Sequence, residues 1–261
     1  MIKVVRLFGV LFSLSLRRTV TFRADLVFEL GVTLVGTSSA IAALSVVYTR
    51  TDSLAGWSSG QALTLLGTFQ LVSGLRAAFV EPNVGWLGEQ VKNGRFDALL
   101  LQPAPTIFLA TLGTAAPLAL IHVVLGGGIV AFSIVNSAAA VTLTGVLAWL
   151  ALLIAATAIM WATRTLFAAI VFWAFGLSLD VVYDALWQFG RYPVQIYRPP
   201  LQLLFTYVFP VALISTVPVA ALTDGGQVGS VSVAIGTATA ACLTAVLVWR
   251  AALRRYTSAT S

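Results

Sequence analysis

The chain has 261 residues, 59% of them hydrophobic and 9% charged, with a mean hydropathy of +0.97 and a net charge of +6. A soluble fold of this length would lack polar surface, so the composition excludes a soluble globular protein and indicates an integral membrane protein. The apolar runs lack period-2 alternation, which excludes a transmembrane β-barrel and leaves an all-α membrane fold.

In chain order, residues 3–18 place Lys3, Arg6, Gly9, Ser13 and Arg17 on a narrow polar stripe at helical spacing. Val4, Leu7, Phe8, Leu11 and Phe12 cover much of the rest. This predicts an N-terminal interfacial amphipathic helix within 1–23, its arginines turned toward anionic lipid. No small-residue cleavage site follows a short apolar core, so no removable signal peptide is expected.

A membrane-spanning helix needs ~20 mainly apolar residues. Such stretches occupy 24–48, 61–82, 105–134, 138–161, 165–186, 199–222 and 228–249. Six spans with both termini cytoplasmic put twelve basic residues inside and only Arg50, Arg191 and Arg198 outside. A seventh full span would reduce that bias to nine against six, so six spans satisfy the positive-inside rule better. The stretch 199–222 then has to be accommodated without crossing. Pro199, Pro200, Pro210 and Pro218 interrupt its helical bonding, which predicts two short re-entrant helices within an extracellular loop 187–222, with a kinked full span as the alternative.

Between the second and third spans, the loop 83–103 carries Glu89, Lys92, Arg95 and Asp97 and is expected in the cytoplasm. Val84, Leu87 and Val91 recur at helical spacing, polar residues fill the other faces, and Gly94 can adopt a left-handed stop. The pattern predicts a short helix along the membrane surface. A docking helix for a soluble partner and a solvated connector both fit it.

Ionisable groups inside apolar runs need partners or water. Glu29 and Arg76 lie at similar depth near the inner boundary, which predicts a buried ion pair between adjacent spans. Asp180 and Asp184 share one face near the outer end of the fifth span, with Arg191 and Arg198 in the following loop to compensate them. They read either as structural or, with Arg191, as an exit-side polar site for cationic cargo. His122, the only histidine, is expected to hydrogen-bond another helix. Trp57, Trp86, Trp161, Trp187 and Trp249 read as interfacial anchors, Trp149 and Trp173 as deeper residues, and Gly126, Gly127 and Gly128 as a site of close helix packing. Cys242 is the only cysteine, so no disulfide within the chain and no cysteine-rich metal site can form, and no metal is expected. The basic charge reflects membrane insertion, so nucleic acid is not an expected partner. No G-x-x-x-x-G-K-[ST] loop is present, which leaves no usual route to ATP hydrolysis.

The run from Gly94 to Pro103 (GRFDALLLQP) resembles the cytoplasmic loop signature of ABC-2 type permeases, a Gly-x-x-Asp-x-x-Leu-x-x-Pro pattern after the second span. Arg191 to Tyr197, Phe205 to Pro210, Val217-Pro218 and the tail from Trp249 to Ser261 are similar to the family's last third, and the segment Phe22 to Asp25 to its start. Phe22 stands where Tyr is common, and Gln102 where a basic residue is common.

The resemblance implies one permease domain over 1–261 in a bacterial cell membrane, exporting cargo by alternating access. It further implies a second permease subunit, identical or paralogous, and separate ATPase subunits that hold ATP and Mg. The chain itself would be no enzyme and would bind no cofactor. Trp86, Leu87, Glu89, Val91, Lys92, Arg95, Phe96 and Asp97 would then form the ATPase contact. An ion-gradient-driven secondary transporter coupled through Glu29 or Asp180 is the alternative, although no inverted repeat is visible.

Overall fold

A computed structural model describes residues 2–21, 23–136, 141–174, 177, 179–223 and 228–256. Phe22, the tail 257–261 and the side chains of Lys3, Arg18, Arg23 and Asp25 lie outside the described residues. Among the described residues the elements are all helical, and the only bridge is a reciprocal backbone pair between Leu54 and Trp57. Among the described residues five helices are long and apolar enough to cross a membrane, or six if one bent pair counts as a span.

Helix α1 (Ile2–Thr21) precedes α2 (Arg23–Tyr48). The turn at 49–58 is closed by Ala55 and Gly56 at positive φ and by the Tyr48 hydroxyl, which donates to the Trp57 carbonyl. Ser58 then caps α3 (Ser59–Leu75) in a reciprocal box with Gln61. This turn and Thr142 lie at what is here termed the upper end of the bundle; Trp86 and Tyr256 lie at the lower end.

At the foot of α3 the helix does not stop where the sequence predicts a loop. A π turn over Arg76–Val80 leads into α4 (Glu81–Val84) and then α5 (Leu87–Lys92), so helix runs nearly unbroken from Ser59 to Lys92. The reason is local. Pro82 has no N–H to offer the Ala78 carbonyl, and the Ala116 N–H takes its place at 2.7 Å. Asn83 completes the splice, donating to the carbonyls of Phe79 and Thr114 while accepting from the Thr114 N–H.

The lower loop holds α6 (Phe96–Leu100). The expected span 105–134 is divided into α7 (Thr106–Leu112) and α8 (Leu120–Asn136), because Gly113 and Pro117 flank a break that Asn83 stitches to α4. Helix α9 (Leu143–Ala169), capped by Thr142 and prolonged by a 3-10 turn to Phe172, overruns the expected end at 161. No Gly or Pro occurs between Met160 and Ala169, and the one charge there, Arg164, is neutralised inside the bundle. The expected fifth span 165–186 is therefore not one helix: its first part belongs to α9, and only α10 (Asp180–Gln188) follows. Next come α11 (Pro199–Leu203), a π turn over Leu204–Val208, and α12 (Thr216–Thr223). The two halves of this stretch meet at 68° around Pro210, and α13 (Val228–Arg255) completes the fold.

Helices α3 and α8 form one tight pair. A Cβ on Gly126 would lie 2.6 Å from the Gly67 carbonyl oxygen, whereas Gly127 and Gly128 face open space, so one of the three glycines makes the close contact. Helix α9 pairs with α13 and supports α12. The core between them contains Phe69, Leu152, Ile159, Tyr183, Trp187, Phe205 and Phe209. Trp57, Trp187 and Trp249, read from sequence as interfacial anchors, are buried. Trp187 instead donates to the Ser73 hydroxyl at 2.9 Å, and Trp249 belongs to an aromatic cluster.

Candidate functional site

The lower loop has two sides of opposite character. Leu87, Val91 and Phe96 point inward and are fully buried against Phe172, Trp249 and Ala252 at the ends of α9 and α13. Phe96 meets Phe172 and Tyr256 edge-on, both at 5.2 Å between ring centroids. Asp97 accepts a 2.9 Å hydrogen bond from the Tyr256 hydroxyl, which fixes the loop to the last residues of the described chain. Desolvation, and then the Asp97 carboxylate it donates to, push the Tyr256 hydroxyl up to about 12.

The outer side of the loop is a groove of about 360 Å³ lined by Trp86, Glu89, Gln90, Asn93, Arg95 and Gln102. Trp86 is 62% exposed at its edge. Gly94, at φ +68°, lets the chain reverse between α5 and α6, as its spacing predicts. Of the eight residues expected to contact an ATPase, Trp86, Glu89, Lys92 and Arg95 present a surface, while Leu87, Val91 and Phe96 do not. Amphipathic spacing marks both faces of a helix without saying which one the protein keeps for itself.

Directly above this loop lies a charged junction. Arg164, 2% exposed, donates a two-pronged pair to Glu81, from Nε to Oε1 at 3.0 Å and from Nη2 to Oε2 at 3.1 Å. Its Nη2 also reaches Asp180 at 2.6 Å. Arg76 contacts Asp184 at 2.8 Å and Glu81 at 3.4 Å, and its guanidinium lies 4.9 Å from the Trp187 ring. Both arginines also approach the buried Tyr183 ring, at 5.5 and 5.2 Å. Two guanidiniums thus face three carboxylates, joining the π turn, α4, α9 and α10.

The predicted Glu29–Arg76 pair does not form. Arg76 is committed to Asp184 and Glu81, and Glu29 lies instead 3.5 Å from His122, an ion pair only when that ring is protonated. The π turn explains the switch. Five residues apart in an α-helix, Arg76 and Glu81 would point about 140° apart; here the Glu81 N–H bonds back to the Arg76 carbonyl, the wider turn that aligns them. The expected exit-side set also divides. Asp180 and Asp184 sit on the buried arginines toward the lower end, roughly 30 Å below the top of α9 at ~1.5 Å per residue, because α9 carries the chain further down than its hydropathy suggested. Arg191 lies elsewhere, with its guanidinium 5.8 Å from the Phe69 ring. Glu81 and Arg164 are the residues that sequence reasoning missed: Glu81 falls at the end of the expected span 61–82 with no partner assigned, and Arg164 falls between the expected spans 138–161 and 165–186, where the absence of a helix stop after Met160 was the available signal.

His122 does bond other helices, as expected. The Gln70 amide approaches Nδ1 at 2.8 Å and the Thr33 hydroxyl approaches Nε2 at 3.3 Å, joining α2, α3 and α8.

A bundle of helices with apolar outer faces, a charged junction and one structured polar loop at the end defines a multi-pass membrane protein. Residues 34–260 match the family described as ABC-2 family transporter protein. The chain belongs to that family, and it is a permease subunit of an ABC transporter. No curated protein and no solved structure matches the chain.

Proposed function

We propose that the chain is the exporting permease of an ABC transporter, worked from its lower end by separate ATPase subunits that carry the ATP and Mg. The observation that carries this reading is the two-sided loop: Trp86, Glu89 and Arg95 offer a groove to a partner, while Leu87, Val91 and Phe96 clamp the same short helices to α9 and α13. A push on the groove side would thus be delivered to the bundle as a rigid body.

In this reading the lower end is cytoplasmic, as are both termini. Lys92, Arg95, Arg254 and Arg255 all cluster there, as the positive-inside rule asks of a bacterial cell membrane. Helix α1 packs Phe8 and Phe12 against Phe79 and leaves Arg6 and Arg17 exposed, which supports an interfacial helix. The halves of 199–223 are each too short to cross alone, and their 68° bend supports a re-entrant pair. A second permease copy or paralogue completes the pathway, and cargo moves by alternating access as the ATPases close and open. The junction, one helical turn above the loop, supports transmission from α5 to α10 through Glu81.

The test uses the assembled complex. Trp86→Ala and Arg95→Glu should leave the permease folded in the membrane but lose co-purifying ATPase and cargo-stimulated ATP hydrolysis. Unchanged ATPase binding and coupling in both variants would sink the proposal.

A further inference from the structure

A groove of about 790 Å³ runs between α3 and the α9–α13 pair. Leu71 and Leu75 of α3, Leu153, Thr157 and Trp161 of α9, and Cys242 of α13 form its walls. Phe8 of α1 and Phe79 close its lower end. Along α9 it extends from Leu150 to Trp161, roughly 17 Å at ~1.5 Å per residue, within the portion of the helix that crosses the bilayer. Ile154, on its rim, is largely exposed, so the groove opens sideways toward lipid.

Its few polar groups are already occupied. The Thr157 hydroxyl donates to the Leu153 carbonyl at 2.8 Å, the Trp161 indole donates to the Thr111 hydroxyl at 3.0 Å, and the Cys242 thiol faces the Ala158 carbonyl at 3.7 Å. A polar ligand or a file of water would find no partners there. Empty, the walls would forfeit dispersion contacts along their whole length. A protein helix would have to be supplied by another chain, whereas acyl chains already surround this open side. A hydrocarbon chain is unbranched and slender, needs no hydrogen bond, and is present at this depth.

We propose that this groove is a resident binding site for an acyl chain of a membrane phospholipid, seated between α3 and the α9–α13 pair. Its occupant comes from the surrounding bilayer, and the site does not depend on the direction of transport. The chain fills the gap that separates α3 from α9 below their upper contact and lets these helices move relative to each other without opening a void.

The experiment takes the full chain in bilayer nanodiscs containing a phospholipid with a mid-chain diazirine, and maps photo-adducts by peptide mass spectrometry. Adducts at Thr157, Ala158 and Cys242 are expected several-fold above those at Val124 and Val135, which are also exposed on apolar faces. Ala158→Phe, and separately Cys242→Phe from the opposite wall, should abolish the groove adducts while leaving those at Val124 and Val135 unchanged. Equal labelling of groove and control positions would show ordinary annular lipid and overturn the proposal, as would groove adducts that persist in either filled variant. Adducts formed between two polypeptides at these positions would overturn it in favour of a protein occupant.

Discussion

Two polar sites lie at membrane depth in this bundle, and they are built on opposite terms. At the junction, Arg164 is 2% exposed and every contact it makes to a charged group is to a carboxylate. At the α2 face, His122 is joined mainly by neutral groups, Gln70 and Thr33, with Glu29 half open to the outside at 3.5 Å. The permanent charge is enclosed and shared among several elements; the titratable one has been left at a thinly packed edge. Burying a guanidinium costs several kcal/mol unless its partners are fixed, whereas an imidazole can stay neutral and needs only ordinary hydrogen bonds. The junction should therefore behave as part of the fold, and the His122 patch as a fastening for α2.

The sharpest way to break that contrast is Arg164→Ala, which removes the two-pronged partner of Glu81, leaving it only the 3.4 Å contact to Arg76, and takes the guanidinium away from Asp180. It should cost about 3–5 kcal/mol and sharply reduce the monodisperse fraction recovered in detergent. If that fraction is unchanged, the junction is not structural. Next in size is Phe96→Ala, which empties a fully buried position in the aromatic cluster and should cost about 3 kcal/mol in thermal unfolding. Paired with the exposed Trp86→Ala, which should leave thermal stability within about 0.5 kcal/mol, it separates the clamp side of the loop from its docking side.

His122→Ala is expected to cost only about 1–2 kcal/mol, since it leaves Gln70 and Thr33 partly unpaired rather than exposing a charge. The effect should concentrate in α2, read as faster hydrogen exchange there than in α3. Below that comes Tyr256→Phe, about 1 kcal/mol for one hydrogen bond to Asp97. The folded Tyr256 hydroxyl titrates near 12, above the ordinary value near 10, so its contribution is complete below pH ~10 and fades as pH rises through 12. Between pH 6 and 9 the wild-type minus Tyr256→Phe stability difference should be flat; a slope there would mean that another group titrates in the contact.

Much of the lower loop was legible. Gly94 stops α5 where its place after an amphipathic run predicts, and Asp97 and Phe96 lie in the short segment that carries the family pattern. Which residues of that segment turn inward was not legible, because Leu87, Val91 and Trp86 are all large apolar side chains and only their neighbours on α9 and α13 separate them. The partner of Arg76 was also hidden. Depth along two helices suggested Glu29, but a π turn moved Glu81 into reach and the short return helix brought Asp184.

The sequence by itself determined that this is an all-helical membrane protein, since 59% hydrophobic residues in long non-alternating runs cannot form any other stable fold. It also located the polar loop and the ionisable residues that would need partners. Only the tertiary structure decided who those partners are, where α9 ends and which glycine of three carries the α3–α8 contact. Hydropathy reports the cost of leaving water for each residue in isolation, whereas pairing and helix ends depend on groups distant in sequence, such as Ala116 donating to Ala78 and Asp180 meeting Arg164.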